Sequence, residues 1–357
     1  MSKVFYFVNH PNCITVKGEL ETERMFYMRL SILDQMPIPK GHSAEEAFQR
    51  TEQLALLGEE LGYHRMWLAE HHNSQSLASS APEVTAAFLA AKTQRLRIGT
   101  GGVMMMHYSP YKLAEVFKTL SGLAPNRIDF GVGRAPGGDH AAIYALAEGR
   151  RQRFTEQYDK LEIILKLMNN QKTGEHVYDQ VVAAPAHISL PEAWLLGSSG
   201  QSAMQAGQLG VGYSYAQFFT GNMSKDIFDA YKAYFTPSYY MDKPQIIVTY
   251  AATVAPTLEE AEYLAKPIDI SRLQLMKGQI IQTMSPEEAK DYPLTEMDKL
   301  TIDNNRKANL VGTPQDIASF LSAEQERYGF DEVMLNCNQY ELESRLNTYR
   351  FLAKELI

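Results

Sequence analysis

Residues Arg95–Gly138 have the sequence RLRIGTGGVMMMHYSPYKLAEVFKTLSGLAPNRIDFGVGRAPGG, and they decide the fold of this 357-residue chain. Two apolar runs, Arg97–Met105 and Arg127–Gly133, flank a segment whose apolar residues recur at the 3.6-residue period of a helix. Pro110 and Gly122 mark the two ends of that predicted helix. Two strands joined by a crossover helix of this length are parallel, so the polar and glycine-rich residues after each strand gather at one edge of a sheet. We therefore expect the functional site at that edge.

The same alternation of strand and helix continues from Met28 to the end of the chain. Besides the two strands above, we predict strands within Met28–Met36, His64–His72, the first part of Glu192–Gly210, Gly212–Phe219, Gln245–Pro256 and Asp331–Gln339. Eight strand–helix pairs without an internal repeat predict an α/β protein of the (β/α)8 TIM-barrel class, with insertions after strands 4 and 7. An open doubly wound sheet, which usually has fewer strands, is the main alternative.

Three segments depart from the regular alternation. A long helix is predicted over residues 149–168, and the polar residues 169–191 are interpreted as an excursion from the barrel with a small hairpin. Residues 282–309 are interpreted as a second, charged insertion. Residues 1–24 lack a clear period and are treated as an N-terminal extension, so that residues 25–357 form a single barrel domain.

Composition excludes several classes of protein. The net charge is −8 and no basic cluster offsets it, which argues against a nucleic-acid partner. The cysteines, Cys13 and Cys337, provide neither a disulfide framework nor metal-ligand spacing, so a reducing cytosol is the simple interpretation. The apolar runs are shorter than a membrane span, and the first residues do not form a secretory signal. We expect a cytoplasmic protein with no membrane partner and no metal.

Three glycine- and serine-containing motifs follow predicted strands. Gly99–Gly102 (GTGG) indicates either close approach of a flat ligand to the backbone or tight packing of a barrel strand. Arg134, in GVGR, is either a phosphate ligand or a surface arginine, since the full dinucleotide fingerprint is missing. Ser198, Ser199 and Ser202 lie at a predicted helix N-terminus, where they either bind a phosphate or simply cap the helix.

The motif Glu70–His72 (EHH) ends the second predicted strand. A histidine beside a carboxylate can act as a general acid or base, although a hydrogen-bonded structural histidine is as good an interpretation. Adjacent residues of a strand face opposite sides, so His71 and His72 should not share a metal. No GxSxG motif occurs, and no Ser–His–Asp hydrolase is expected.

In combination, the motifs resemble those of the bacterial-luciferase-like, FMN-linked monooxygenases. The segments that carry the resemblance are Leu33–Ile38 (LDQMPI), Trp67–His72 (WLAEHH), Arg97–Met105 (RIGTGGVMM), Arg127–Gly138 (RIDFGVGRAPGG), Leu196–Ala203 (LGSSGQSA) and Val311–Pro314 (VGTP). These segments are distributed over nearly all of the chain after residue 25. The resemblance implies a barrel that binds reduced FMN at the C-terminal ends of its strands.

The resemblance also assigns residues to the flavin site. It implies a non-proline cis peptide at Gly101-Gly102 against the flavin ring. The FMN phosphate would be held by Arg134 with Pro136 beside it, and by Ser199 and Ser202. Ser198 stands where luciferases have a glutamate, and Gly133 stands where they have a reactive thiol, so the chain is nearer to the alkanal-monooxygenase-like relatives than to a true luciferase.

The implied activity is that of a two-component monooxygenase. It would take FMNH2 from an NAD(P)H:flavin reductase, react it with O2, and oxygenate a small organic substrate through a peroxyflavin. His71 is expected to act as an acid or base or to stabilise the peroxyflavin, and His72 is the second choice for this role. A deazaflavin-dependent hydride-transfer oxidoreductase and a non-catalytic partner subunit are the alternatives. A homodimer is also expected, while the substrate and light emission cannot be inferred.

Overall fold

The computed structural model describes residues 28–150, 156–306 and 308–357, and its strands form a closed parallel barrel. The strands are β1 (Arg29–Asp34), β2 (Arg65–Leu68), β3 (Arg97–Thr100), β4 (Ile128–Val132), β5 (Glu192–Gly197), β6 (Gly212–Ala216), β7 (Ile246–Val254), β8 (Asn309–Gly312) and β9 (Glu332–Asn336). β1 to β7 pair in chain order, β7 pairs with β9, and β9 pairs with β1. The predicted (β/α)8 barrel is confirmed.

Helices alternate with these strands and surround the barrel. They are α1 (Ala44–Leu61), α2 (Pro82–Lys92), α3 (Pro110–Leu123), α4 (His140–Leu146), α5 (Gln157–Met168), α6 (Gly200–Leu209), α7 (Gln217–Thr220), α8 (Lys225–Tyr234), α9 (Leu258–Met276), α10 (Pro286–Lys290), α11 (Glu296–Asn305), α12 (Pro314–Tyr328) and α13 (Leu342–Leu356). α1 shows why they begin and end where they do: Ser43 and Glu46 form a capping box, and Gly62 ends the helix at φ 86°. None of the helices in the described part of the chain is long and apolar enough to cross a membrane.

The two-residue alternation of the strands separates two apolar regions. Side chains on the outer face of the barrel pack against the helices and form the larger core. A smaller cluster fills the barrel interior and consists of Leu33, Trp67, Ala69, Trp194, Met241, Ile247 and Met334. The odd-numbered residues of β1 and β2 and the even-numbered residues of β9 therefore face inward.

The structure corrects the sequence prediction in four places. The predicted hairpin within residues 169–191 is wrong, because these residues form turns and no strand. The helix predicted over 149–168 begins at Gln157, and α4 precedes it. α3 continues through Gly122 to Leu123. β8 was not predicted, and it lies outside the closed ring because it pairs with the C-terminal part of β7 alone. Residues 1–24 lie outside the described residues, and the single-domain division stays a prediction.

Candidate active site

The predicted site residues follow β2, β3, β4 and β5, which are neighbours in the barrel. Because all strands of the barrel are parallel, their C-terminal ends open at one mouth. In the register of β4 and β5, Val132 lies opposite Leu195. This places the loop that carries Arg134 beside the loop that carries Ser198 and Ser199.

The Gly101-Gly102 peptide bond is cis, as the resemblance implies. The Gly101 N–H donates to the Leu68 carbonyl oxygen at 2.8 Å, which continues the β2–β3 ladder toward the mouth. A Cβ on Gly101 would lie 2.8 Å from Leu33 Cδ1 and 2.9 Å from Trp67 Cβ, so no side chain fits there. Glycine at this position lets Leu33 and Trp67 of the interior cluster pack directly against the backbone.

Glu70 is a fully buried carboxylate that joins the ends of β2 and β3. It accepts hydrogen bonds from the Met104 N–H at 2.7 Å and the Tyr108 hydroxyl at 2.6 Å. His72 Nε2 lies 2.6 Å from the same carboxylate. Burial and then the hydrogen bond to Glu70 raise the pKa of Tyr108 above its ordinary value. This polar cluster fixes the loop that carries the Gly101-Gly102 peptide.

His71 lies on the other side of the chain from Glu70 and His72. The alternation of Trp67 and Ala69, which both face the barrel interior, places His71 next on that side at the mouth. Its Nδ1 is buried and makes no hydrogen bond within the described residues. Burial, with a smaller contribution from His72, lowers its pKa from 6.5 to about 4. The imidazole is therefore neutral near pH 7, and its Nδ1 is available to a hydrogen-bonding partner.

The N-terminus of α6 forms a cradle of hydroxyl groups. Ser199 is the N-cap residue, and its Oγ accepts from the Ser202 N–H at 3.3 Å. The Ser202 hydroxyl donates to the Ser199 carbonyl oxygen at 2.8 Å and lies 3.1 Å from the Tyr213 hydroxyl. A Cβ on Gly197 would lie 2.2 Å from Ser202 Oγ, so glycine there allows the helix to begin so close to the strand. Ser199 itself is exposed.

Arg134 lies on the same side of the mouth as this cradle. Its charge lowers the pKa of Tyr158, which burial raises overall, and Tyr158 in turn is close enough to raise the pKa of Tyr213. Tyr158 is therefore near Arg134 and also near Tyr213, whose hydroxyl contacts Ser202. An arginine, two serine hydroxyls and a helix N-terminus form a donor set that suits a phosphate group.

The other two predicted site residues, Ser198 and Pro136, lie beside these groups at the mouth. Ser198 is half-buried at the end of β5, next to the N-cap residue Ser199. Pro136 is exposed, and its carbonyl oxygen lies 2.7 Å from His107 Nε2. The structure brings Arg134, Ser199 and Ser202 to one part of the mouth, and His71 with Gly101 and Gly102 to the adjacent wall.

The sequence analysis did not identify several residues that contact the predicted site residues. They include Tyr108, which contacts Glu70, and Tyr213, which contacts Ser202. The contacts of Glu70 with the loop after β3 were not expected either. Gln35, Asn336 and Asn338 were not considered, although the spacing of two asparagines at the end of the last strand was a usable signal.

Known proteins resemble this chain in sequence and in fold. The model of the family described as luciferase-like monooxygenase matches residues 28–332. The chain is 35% identical over 310 residues to the N-acetyl-S-alkylcysteine monooxygenase of Bacillus subtilis (strain 168), covering 86% of this chain and 92% of that protein. It is 34% identical to a luciferase-like monooxygenase of Escherichia coli (strain K12), over 89% of this chain and 94% of that protein.

Solved structures agree in fold. Apo-MsnO8 superposes with a TM-score of 0.84 and 30% identity, over 92% of this chain and 98% of that one. The oxygenating constituent of 3,6-diketocamphane monooxygenase from Pseudomonas putida, solved with FMN, gives 0.66 at 18% identity over 92% and 98%. An F420-dependent secondary alcohol dehydrogenase gives 0.65 at 12% over 93% and 99%. The sequence matches, on the fold described above, show that this chain belongs to the luciferase-like monooxygenase family.

Proposed function

We propose that this chain is the oxygenase component of a two-component, FMN-dependent monooxygenase. It would receive FMNH2 from a separate NAD(P)H:flavin reductase and use O2 to oxygenate a small organic substrate. The observation that carries the proposal is the donor set at the α6 N-terminus, with Arg134 beside it, at the same mouth as the cis Gly101-Gly102 peptide. Membership of the family supports the same activity.

The residues at the mouth fit FMN. Ser199, Ser202 and Arg134 would hold the dianionic phosphate, because hydroxyl, helix-terminal N–H and guanidinium groups are all donors. The peptide of Gly101 and Gly102 would lie against the flat ring, since neither residue carries a side chain there. A Cβ on Gly133, in the loop after β4, would meet nothing within 4 Å, which leaves room for a ligand over that backbone.

Reduced FMN supplies the activation of O2, and the protein contributes binding, proton management and exclusion of water. We assign proton management to His71, through its Nδ1. That atom has no partner among the described residues and lies at the mouth, and the ring is neutral near pH 7. His72 is engaged by Glu70 and would act through the loop it helps to fix. Trp67 and Met334, in the interior cluster below the mouth, would exclude water from beneath the flavin.

Flavin titration tests the phosphate assignment. The purified chain should bind FMN more tightly than riboflavin, and Arg134→Ala should weaken FMN binding about 10- to 100-fold while leaving riboflavin unchanged, since a charged hydrogen bond contributes about 1.5–3 kcal/mol. Fluorescence quenching of each flavin measures both constants. Equal losses for FMN and riboflavin would contradict a phosphate role. Binding of a deazaflavin instead of FMN would replace the proposed cofactor.

An oxygen pulse to the protein loaded with FMNH2 tests His71. His71→Ala should keep FMN affinity within about twofold, and it should increase the rate at which hydrogen peroxide is released after the pulse, because proton control at the site is lost. His72→Ala serves as the comparison and should change peroxide release less. The assignment fails if the two variants behave alike or if peroxide release does not change.

Substrate and assembly are tested separately. The relative named N-acetyl-S-alkylcysteine monooxygenase makes N-acetylated cysteine thioethers a rational substrate panel, alongside alkanals. Oxygen incorporation from labelled O2 into a member of either class would identify the substrate class.

We also propose a homodimer, and the mass measured by light scattering in solution decides between one and two chains.

A further inference from the structure

Three carboxamide side chains form a chain at the mouth, on the ends of β1 and β9. Asn336 Nδ2 donates to the Leu33 carbonyl oxygen at 3.1 Å. Asn338 Nδ2 lies 3.3 Å from Asn336 Oδ1 and 2.7 Å from Gln35 Oε1. Each link joins a donor to an acceptor, so the group is anchored on a main-chain carbonyl at one end.

This anchor fixes the orientation of every amide in the group. Because a main-chain carbonyl oxygen can only accept, the nitrogen of Asn336 must face Leu33, and its oxygen must face Asn338. The nitrogen of Asn338 must then donate, and its Oδ1 points away from the group. That Oδ1 is buried and has no hydrogen-bond partner among the described residues. A buried acceptor without a donor is costly, and it indicates a position that binds one.

The group faces the barrel interior and lies across the mouth from the α6 cradle. Leu33 and Met334 belong to the interior cluster, whereas Cys337 belongs to the outer core, so Gln35, Asn336 and Asn338 follow the inward phase. In the eight-strand ring, the junction of β9 and β1 lies opposite the junction of β4 and β5. A molecule held at the cradle and extending across the mouth would approach Asn338.

We propose that Gln35, Asn336 and Asn338 form a recognition group that takes an amide-type N–H donor of a bound molecule at Asn338 Oδ1. The inference rests on the proposed function. The partners within the group are neutral carboxamides, so a neutral N–H suits it better than a cation, which would need a carboxylate. Two sources carry this chemistry: the imide N–H of the flavin ring and a secondary amide of the organic substrate. The experiment has one arm for each.

The first arm compares FMN with its N3-methyl derivative, which lacks the imide N–H. If the flavin is the source, the wild-type chain should bind the methylated flavin about tenfold or more weakly by fluorescence quenching. The second arm compares N-acetyl-S-methylcysteine with its N-methyl derivative by titration calorimetry, on the flavin-free and FMN-bound chain. If the substrate is the source, the same loss should appear in this pair instead.

Variants separate a hydrogen bond from simple bulk. Asn338→Leu removes the acceptor, so the preference for the N–H compound should fall to about one; a preference that persists reflects steric exclusion and overturns the proposal. Gln339→Leu is the matched control, because Gln339 is a neighbouring buried carboxamide whose oxygen is also unpartnered, but whose Nε2 donates to Thr348 Oγ1 of α13 at 3.4 Å and so lies outside the group. It should retain the wild-type preference.

Two readouts keep the result decisive. If Asn338→Leu does not fold, nitrogen-15 NMR of the labelled N–H compound on the wild-type chain should show a downfield N–H proton protected from exchange, and an unprotected proton overturns the proposal. Absence of preference in both arms also overturns it. Failure of the chain to bind FMN at all would reject the proposed function, while the substrate arm on the flavin-free chain would still decide this inference.

Discussion

The two ends of the barrel interior treat buried polar groups in opposite ways. At the N-terminal end, the guanidinium of Arg65 contacts Asp129 at 2.8 Å, Glu332 at 2.9 Å and Glu192 at 3.1 Å. Trp67 Nε1 donates to Asp129 at 2.8 Å. Burial alone would raise the pKa of Asp129, but the neighbouring arginines outweigh it and lower that pKa. The charged groups at this end satisfy one another, whereas the indole N–H of Trp194, whose ring packs against Arg65, is buried without a partner among the described residues.

At the C-terminal mouth, the corresponding positions carry glycines, His71 and the carboxamide group. His71 Nδ1 and Asn338 Oδ1 are buried there without a partner among the described residues. The difference teaches that the same interior serves two purposes. At the N-terminal end, charged groups that bond one another hold the barrel closed. At the C-terminal mouth, buried polar groups without a partner are suited to contact a ligand. Four comparisons of variants test this division, in order of decreasing expected effect.

Arg65→Met should have the largest effect. It leaves the carboxylate of Glu332 buried without its cation and Asp129 with Arg97 as its remaining cation, which costs about 3–5 kcal/mol of the free energy of unfolding. Urea denaturation measures the loss. Arg350→Met, which breaks an exposed ion pair with Glu343, is the control and should change stability little. Similar stability of the two variants would contradict the structural role of the buried cluster.

Gly131→Ala and Gly133→Ala compare an inward-facing glycine of β4 with the glycine that directly follows this strand. A Cβ on Gly131 would lie only 2.0 Å from the Thr100 carbonyl oxygen, whereas a Cβ on Gly133 meets nothing within 4 Å. We expect Gly131→Ala to lose about 3 kcal/mol and Gly133→Ala almost nothing. If Gly133 lies under the flavin, its variant should instead weaken FMN binding. Equal thermal stability of the two variants would remove the distinction between wall and mouth.

The pH dependence of stability tests His71. Its pKa is depressed in the folded chain to about 4, from 6.5. The associated stability is therefore fully present above pH 6.5 and is lost as the pH falls toward 4, because the unfolded chain then binds the proton more readily. Between pH 7 and pH 5 the wild type should lose about 2 kcal/mol more than His71→Gln. Parallel stability curves for the two proteins would contradict a buried, neutral His71.

Much of the barrel could be predicted because each strand and each crossover helix has its own hydrophobic period. β8 escaped because Asn309–Gly312 is short, follows a polar insertion, and pairs only with a C-terminal extension of β7. Its pairing depends on the length of β7, which the local pattern of β8 does not contain. The hairpin predicted within 169–191 failed for a related reason: turn residues occur there without alternating apolar partners.

In the candidate site, too, some positions could be predicted from the sequence and others could not. Arg134 and Ser199 could be placed from sequence because each directly follows a strand whose end is defined by its apolar run. The contacts of Glu70 could not, because Met104 and Tyr108 come from the loop of the next strand and meet it only through strand register. The direction of Asn338 required the hydrogen-bond chain from Leu33, which no spacing rule provides.

Ser199→Ala should have the smallest effect on stability and still separate capping from binding. Loss of the N-cap acceptor should cost about 1 kcal/mol of the free energy of unfolding. Ser43→Ala removes the N-cap of α1, which has the same capping-box geometry, and should cost a similar amount. Only Ser199→Ala should also weaken FMN binding, because its hydroxyl would contact the phosphate as well as the helix. Fluorescence titration of both variants decides the question: if both bind FMN as the wild type does, Ser199 is a cap alone, and the division between the two ends of the barrel does not extend to α6.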